Sequence, residues 1–172
     1  MTNKPRTLYW DSSVFLSHLN AYPDRKPVID AVIAEIRENK DSIILTSSES
    51  IVEVSCAADE RTQNRTDPKI EKAIDDMFND TAIVRIVDNG PHIAKLARRL
   101  IRDVIPQGWV LKPKDAVHLA TAQWLSEHGI LVNEINTYEP AWKKYEATVG
   151  IHVEEPHVIQ YKMKENGKEA EQ

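Results

Sequence analysis

Short apolar, β-favouring runs alternate along this chain with longer stretches whose apolar positions recur every three or four residues. Thr7-Leu8-Tyr9-Trp10 opens the series and runs into Asp11. Ser12 and Ser13 then offer caps for a short helix over residues 14–19. Pro27 suits a helix start, and Val28, Ile29, Val32, Ile33 and Ile36 follow at helical spacing. Residues 42–46, SIILT, read as a buried strand; Ser47 or Ser48 caps a helix carrying Ile51, Val52, Val54 and Ser55. Asp67-Pro68 opens another helix, with Ile70, Ile74, Met77 and Phe78 on one stripe, and residues 82–87, AIVRIV, form a strand. Gly90-Pro91 leads a helix that turns Ile93, Leu96, Ala97, Leu100 and Ile101 inward. After the connector IPQGWVLKP comes a helix over residues 114–128, stopped by Gly129 in the expected C′ position. Residues 130–135 read as a strand, 140–149 as a short helix and 150–153 as a last strand.

Four to five strands separated by helices predict an α/β fold: a parallel sheet with helices on both faces and right-handed crossovers. A chain of 172 residues fits one domain with a short appendage. Residues 1–156 carry the pattern, and residues 157–172 read as a polar, frayed tail. In such folds active sites lie beyond the carboxyl ends of the strands.

Four acids fall at that edge. Asp11 directly follows the first strand, and Glu53 is expected about two turns into the helix after the second. Asp115 sits in the first turn of the helix preceding the fourth strand; that helix ends at the amino edge, so its start lies at the carboxyl edge. Glu139 follows the fourth strand by a few residues. Carboxylates brought close repel one another and raise each other's pKa unless a cation neutralises them. An oxygen-only donor set suits Mg²⁺ or Mn²⁺, ions that activate water and stabilise a departing phosphate oxygen. Taken singly, each acid has a plainer use. Asp11 suits a cap, Asp115 complements a helix N-terminus, Glu53 stands four residues after Glu49 on a solvated face, and Glu139 faces solvent in a turn before Pro140.

Composition narrows the chemistry. No run approaches the roughly 18 apolar residues of a membrane span, and the N-terminus lacks the apolar core of a secretory signal. The single cysteine, Cys56, excludes an internal disulfide framework and a multi-cysteine zinc site, which points to the cytoplasm. It is expected to be a buried structural thiol in an apolar helix segment. With only 5 glycines, neither GxGxxG nor GxxxxGK[ST] occurs. The balance of 27 acids against 22 bases, net −5, argues against a passive basic scaffold for nucleic acid. It does not argue against an enzyme that meets nucleic acid through metal ions, since two divalent ions would offset about four of those charges.

Several of these residues resemble one family. DAVHLATA, residues 115–122, is similar to the D-A-x-H-x-A-x-A helix of the PIN-domain nucleases. Asp11-Ser12-Ser13-Val14 resembles that family's strand-end element, Thr46-Ser47 through Glu53-Val54 its second element, and Thr137-Tyr138-Glu139 stands where it has T-x-D. Gly150-Ile151-His152-Val153 with Pro156 resembles its last strand, so the likeness spans about residues 7 to 156. In size and layout the chain looks like a toxin of the VapC type. The resemblance implies a three-layer α/β/α sandwich and an endoribonuclease that uses one or two Mg²⁺ or Mn²⁺ ions. Asp11, Glu53 and Asp115 would match the metal-binding carboxylates. Glu139 stands where aspartate is usual, which would make it a weaker or water-mediated ligand. Ser13 and Thr137 would be hydroxyls near the ions. A small antitoxin and a homodimer are implied as partners, beside an RNA substrate.

Around these, Lys112 and Lys114 flank the metal edge as phosphate contacts. Arg61 and Arg65, in a predicted loop beside the Glu53 helix, are candidate substrate or antitoxin contacts; Arg98, Arg99, Arg102, Lys143 and Lys144 are further basic positions. Arg98 and Arg99 suit the solvated back of an amphipathic helix. Trp109 suits a base-stacking, core-covering or dimer-seam role equally. The apolar company of Val117, Leu119 and Ala120 favours a packed or hydrogen-bonded His118 over a metal ligand. Two alternatives stand beside the nuclease. A phosphatase with Asp11 as nucleophile would want a second aspartate where Ser13 stands, as in the haloacid-dehalogenase pattern; a PIN-like RNA- or protein-binding module with a weakened site finds support in Glu139.

Overall fold

The computed structural model describes residues 5–159. Five strands, β1 (Thr7–Trp10), β2 (Ile43–Ser47), β3 (Val84–Val87), β4 (Glu134–Asn136) and β5 (His152–Glu154), form one parallel sheet in the order β3-β2-β1-β4-β5. The helices are α1 (Ser12–Leu19), α2 (Lys26–Glu38), α3 (Glu49–Glu53), α4 (Ala58–Gln63), α5 (Pro68–Asn79), α6 (Pro91–Val104), α7 (Pro113–Glu127) and α8 (Glu146–Val149).

The side-chain alternation of β1 explains the layers. Leu8 and Trp10 face one way and pack with Val14, Phe15, Ile29, Val32, Ile36 and Phe78 from α1, α2 and α5. Tyr9 faces the other way and joins Leu45, Ile135 and Val153 against Ile93, Leu100, Leu119 and Leu125 from α6 and α7. A strand buried on both faces is apolar throughout, as a central parallel strand requires. Complete burial of side chains as large as Trp10 or Leu119 contributes about 1.5–3 kcal/mol each. The sheet is thus the middle layer of an α/β/α sandwich.

Chain order reverses at β1. From it the chain proceeds outward to β2 and β3, then returns to place β4 on the other side. Ligands in open parallel sheets bind beyond the carboxyl ends of the strands at such a switch point. Asp11 and Thr137, each the first residue after its strand, stand there side by side.

Beyond shifts of a residue or two at element ends, the elements differ from the sequence expectations in four places. The helix after β2 ends at Glu53, so Glu53 is its last residue rather than two turns inside it. A separate helix, α4, follows at Ala58–Gln63. The fourth strand starts at Glu134 rather than at residue 130, because Ile130 and Leu131 are exposed instead of packed. Residues 140–145 form a 3₁₀ turn before α8. Of the expected tail, residues 160–172 lie outside the described residues. At its start the carbonyl of His157 accepts from Arg6, and the amide of Ile159 donates to Glu35.

Candidate functional site

Asp11 leaves β1 with extended backbone and caps α1, accepting from the amides of Ser13 at 3.0 Å and Val14 at 3.4 Å. The Ser13 hydroxyl donates to the same oxygen, Oδ1, at 2.6 Å. Thr137 Oγ1 donates to the other, Oδ2, at 2.8 Å. The Ser13 hydroxyl also ties the two strand ends together, accepting from the amide of Tyr138, while Thr137 Oγ1 accepts locally from the amide of Glu139. The Asp11 carboxyl is buried, and burial pushes its pKa up to about 6, against the opposing influence of His118 and of the Ser13 and Thr137 hydroxyls. The plain role as a cap and the role at the edge therefore coincide in one side chain.

Glu53 behaves in the opposite way. Burial raises its pKa, but donors outweigh this: His118 Nε2 at 2.9 Å and Ser12 Oγ, both on Oε2, with the charges of His118 and Lys114 helping, hold it at about 2. Lys114 Nζ lies 3.4 Å from Oε1. His118 is buried in α7, and its Nδ1 meets the hydroxyl of Tyr9 at 3.0 Å.

Asp115 occupies the first turn of α7, behind Pro113 at the helix start. Burial raises its pKa, and the negative charges of Glu139 and Glu53 push the same way, against Lys112 and His118. That coupling brings the α3, α7 and post-β4 acids into one electrostatic field. No three of these four acids bring carboxylate oxygens within 4.8 Å of one another. The all-oxygen donor set suits a hard divalent ion such as Mg²⁺, which keeps several of its own waters and binds through few carboxylates. It does not match the closed Cys or His cage of a structural zinc site.

The family model of the PIN domain matches residues 8–136, from β1 through β4. The chain belongs to the PIN domain family. No curated protein matches it at a significant level of sequence similarity. Among solved structures, it is similar to VapBC2 from Rickettsia felis bound to a DNA fragment from its promoter, with TM-score 0.62 and 13% identity over 87% of this chain and 98% of that one. It is also similar to Mycobacterium tuberculosis VapC20, a sarcin–ricin loop cleaving toxin, with TM-score 0.57 and 14% identity over 80% and 93% of the two chains. A third likeness, to FitAB of a complex with an IR36 DNA fragment, has TM-score 0.58 and 13% identity over 90% and 99%. At these identities the likeness is one of fold.

The PIN domain places the remaining expected residues unevenly around the acids. Lys112 and Lys114 are exposed at the start of α7, beside Asp115 and Glu53. Glu139 is exposed at the rim rather than sunk beside Asp11. Arg61 lies on α4, not in a loop, with its Nε donating to Cys56 Sγ at 2.9 Å; Arg65 follows that helix and is exposed. Cys56 itself is half-buried in the non-helical link between α3 and α4, not an enclosed helical thiol, because the helix stops at Glu53. Arg98, Arg99 and Arg102 are exposed on α6. Trp109 packs partly buried against the core and edge-on to Tyr145, with Lys144 over its ring. Sequence reasoning left Ser12 as a cap and had no use for Tyr9; their partners come from α3 and α7, and nothing in the spacing along β1 signals them.

Among the described residues, Glu134, Glu154 and His157 do bring ligand atoms within 4.8 Å of one another. Glu134 is already paired with the buried guanidinium of Arg6, which also bonds Glu35 at 3.1 Å. A cation there would face that guanidinium, so the group is an ion-pair network.

Proposed function

We propose that this chain is a divalent-metal-dependent endoribonuclease and the toxin of a toxin–antitoxin pair. The observation that carries the reading is that Asp11, Glu53 and Asp115 stand around the carboxyl edge of the sheet within the electrostatic reach of one residue, His118, with Asp11 buried. Asp11, Glu53 and Asp115 would hold one or two Mg²⁺ or Mn²⁺ ions, with Glu139 reaching in from the rim as a weaker or water-mediated ligand. A bound ion of this kind supplies charge neutralisation at the scissile phosphate and a water acidic enough to attack it. The protein's own share is positional. Ser13 and Thr137 fix the Asp11 carboxylate, and Lys112 and Lys114 offer exposed ammonium groups to RNA phosphates. Arg61 and Arg65 extend the basic surface for substrate or antitoxin.

The RNA substrate is supported by VapC20, and the small antitoxin partner by the VapBC and FitAB complexes, whose fold this chain shares. A homodimer, a cytoplasmic setting and a nuclease domain over residues 1–156 complete the reading. The exposure of Glu139 favours one competing function, a binding module with a weakened site.

Cleavage of total RNA by wild type and Asp11→Asn, with Mg²⁺ or Mn²⁺ and mapping of the new ends, separates the two. The nuclease cleaves, and Asp11→Asn falls by at least about 100-fold, since several kcal/mol of charge stabilisation is lost at a factor of ten per roughly 1.4 kcal/mol. No cleavage with either ion, or equal cleavage by the variant, refutes it.

A further inference from the structure

Buried behind Glu53 is a chain of hydrogen bonds that the proposed reaction does not itself require. Tyr9 is fully buried on β1, and its hydroxyl meets His118 Nδ1 at 3.0 Å. With Nδ1 so engaged the ring turns Nε2 to Glu53, and Nε2 carries a proton whether Tyr9 donates to a neutral ring or accepts from a charged one. That Nε2–H points at Glu53 Oε2, 2.9 Å away, and at Ser12 Oγ, 3.2 Å away, while the Ser12 hydroxyl donates to Oε2 as well. The two donors both commit Oε2, leaving Oε1 facing Lys114 from which solvent is not excluded. Glu53 needs such restraint. It is the last residue of a five-residue helix whose Ile51 and Val52 are exposed, so packing of α3 alone does not fix its carboxylate.

We infer that His118, held in place by Tyr9, is a positioning residue that locks Glu53 through Oε2 and would leave Oε1 as the oxygen available to a metal. The inference rests on the metal-nuclease reading above. Partners of this kind behind a ligand typically carry about 10- to 100-fold in metal affinity.

The test is Mn²⁺ affinity of the purified full chain, read by the electron paramagnetic resonance of free Mn²⁺, for wild type, His118→Leu, His118→Gln and Tyr9→Phe. Glutamine keeps an N–H donor near the Nε2 position, whereas leucine keeps only bulk. His118→Leu is expected to weaken binding by about 10- to 100-fold, His118→Gln to recover most of that loss, and Tyr9→Phe to weaken binding several-fold. Wild-type affinity in His118→Leu overturns the inference, and so does a His118→Gln variant as weak as leucine, which would assign the loss to packing. If His118→Leu does not fold, Tyr9→Phe decides, with unchanged affinity counting against the inference. A wild-type chain that binds no Mn²⁺ removes the metal reading itself, and this inference with it; wild-type binding with unaffected variants removes only the inference.

Discussion

Asp11→Asn is predicted to stabilise the metal-free protein. Asparagine caps a helix about as well as aspartate. Its carbonyl can keep the Ser13 and Val14 donors, and Thr137 Oγ1, which donates to Oδ2 in the wild type, can rotate to accept from the new amide. What changes is the charge. The folded pKa of Asp11, about 6, stands roughly two pH units above that of an unfolded aspartate. Because the folded value is raised, the native state binds protons that the unfolded chain has already released, and stability falls as pH climbs from about 4 to 6, then stays reduced. At 1.36 kcal/mol per pH unit, ionisation costs the wild type about 3 kcal/mol at pH 8. Loss of a negative charge at the start of α1 takes back up to about 1 kcal/mol, leaving the variant about 2 kcal/mol more stable. Urea denaturation in EDTA at pH 8 and pH 4.5 reads this directly, and a thermal melt at pH 8 should rise by about 4–8 °C for a chain of this size. The advantage should at least halve by pH 4.5. Added Mn²⁺ should raise the stability of wild type and leave the variant unmoved, since only binding to the folded state stabilises it. A variant no more stable than wild type at pH 8, or an advantage independent of pH, refutes the reasoning.

Two further outcomes follow from the ion pairs and the rim. Arg6→Ala leaves the carboxylates of Glu35 and Glu134 buried without their partner and should cost about 3–5 kcal/mol in urea denaturation, whereas replacing all three residues by Met, Gln and Gln should recover most of that loss. Glu139→Gln removes one of the charges that hold the Asp115 pKa up, so in the metal-free protein Asp115 should ionise at lower pH by carboxyl-resolved nuclear magnetic resonance; an unchanged titration would show that the two groups do not share a field.

The sheet and the edge position of the acids were legible because they depend on local pattern and chain direction. An apolar run that ends on Asp11 marks a strand exit, and a helix that must finish at the amino edge carries its first-turn Asp115 to the other. The length of α3 was not legible. Ile51, Val52 and Val54 imitate a helical stripe, yet Ile51 and Val52 face solvent and only Val54, past the helix end, is buried. Helix α4 buries none of its residues, so it has no apolar period to read. Its start is marked instead by the Glu60 carboxylate on the Ala57 amide, and its end by Asn64 in a left-handed conformation. Ile130 and Leu131 drew the fourth strand too early for the same reason as α3: apolar character was taken for burial. The real strand opens with Glu134, a residue no hydrophobic pattern selects, buried there because Arg6, just before the neighbouring strand β1, pairs with it.

The electrostatics of the three inner acids divide the work of a cation in a way the sequence does not suggest. Equal carboxylates in one cluster would each be expected to resist ionisation. Here Glu53 ionises readily because neutral and positive donors from α1 and α7 already surround it, while Asp11, enclosed between β1 and β4, does not, since burial outweighs the His118 charge and its hydroxyl and amide partners. Asp115, half-buried and pressed by Glu139 and Glu53, sides with Asp11. On the metal reading, the free energy of ion binding therefore goes chiefly into charging Asp11 and Asp115, and Glu53 serves as the ligand that is ready beforehand. Metal affinity should then rise with pH through the range near 6 where Asp11 titrates, rather than levelling off near 4 as it would for a site built from exposed carboxylates. A Mn²⁺ titration at pH 5 and pH 7 distinguishes the two: equal affinity at both would mean that Asp11 is not among the groups the ion must deprotonate.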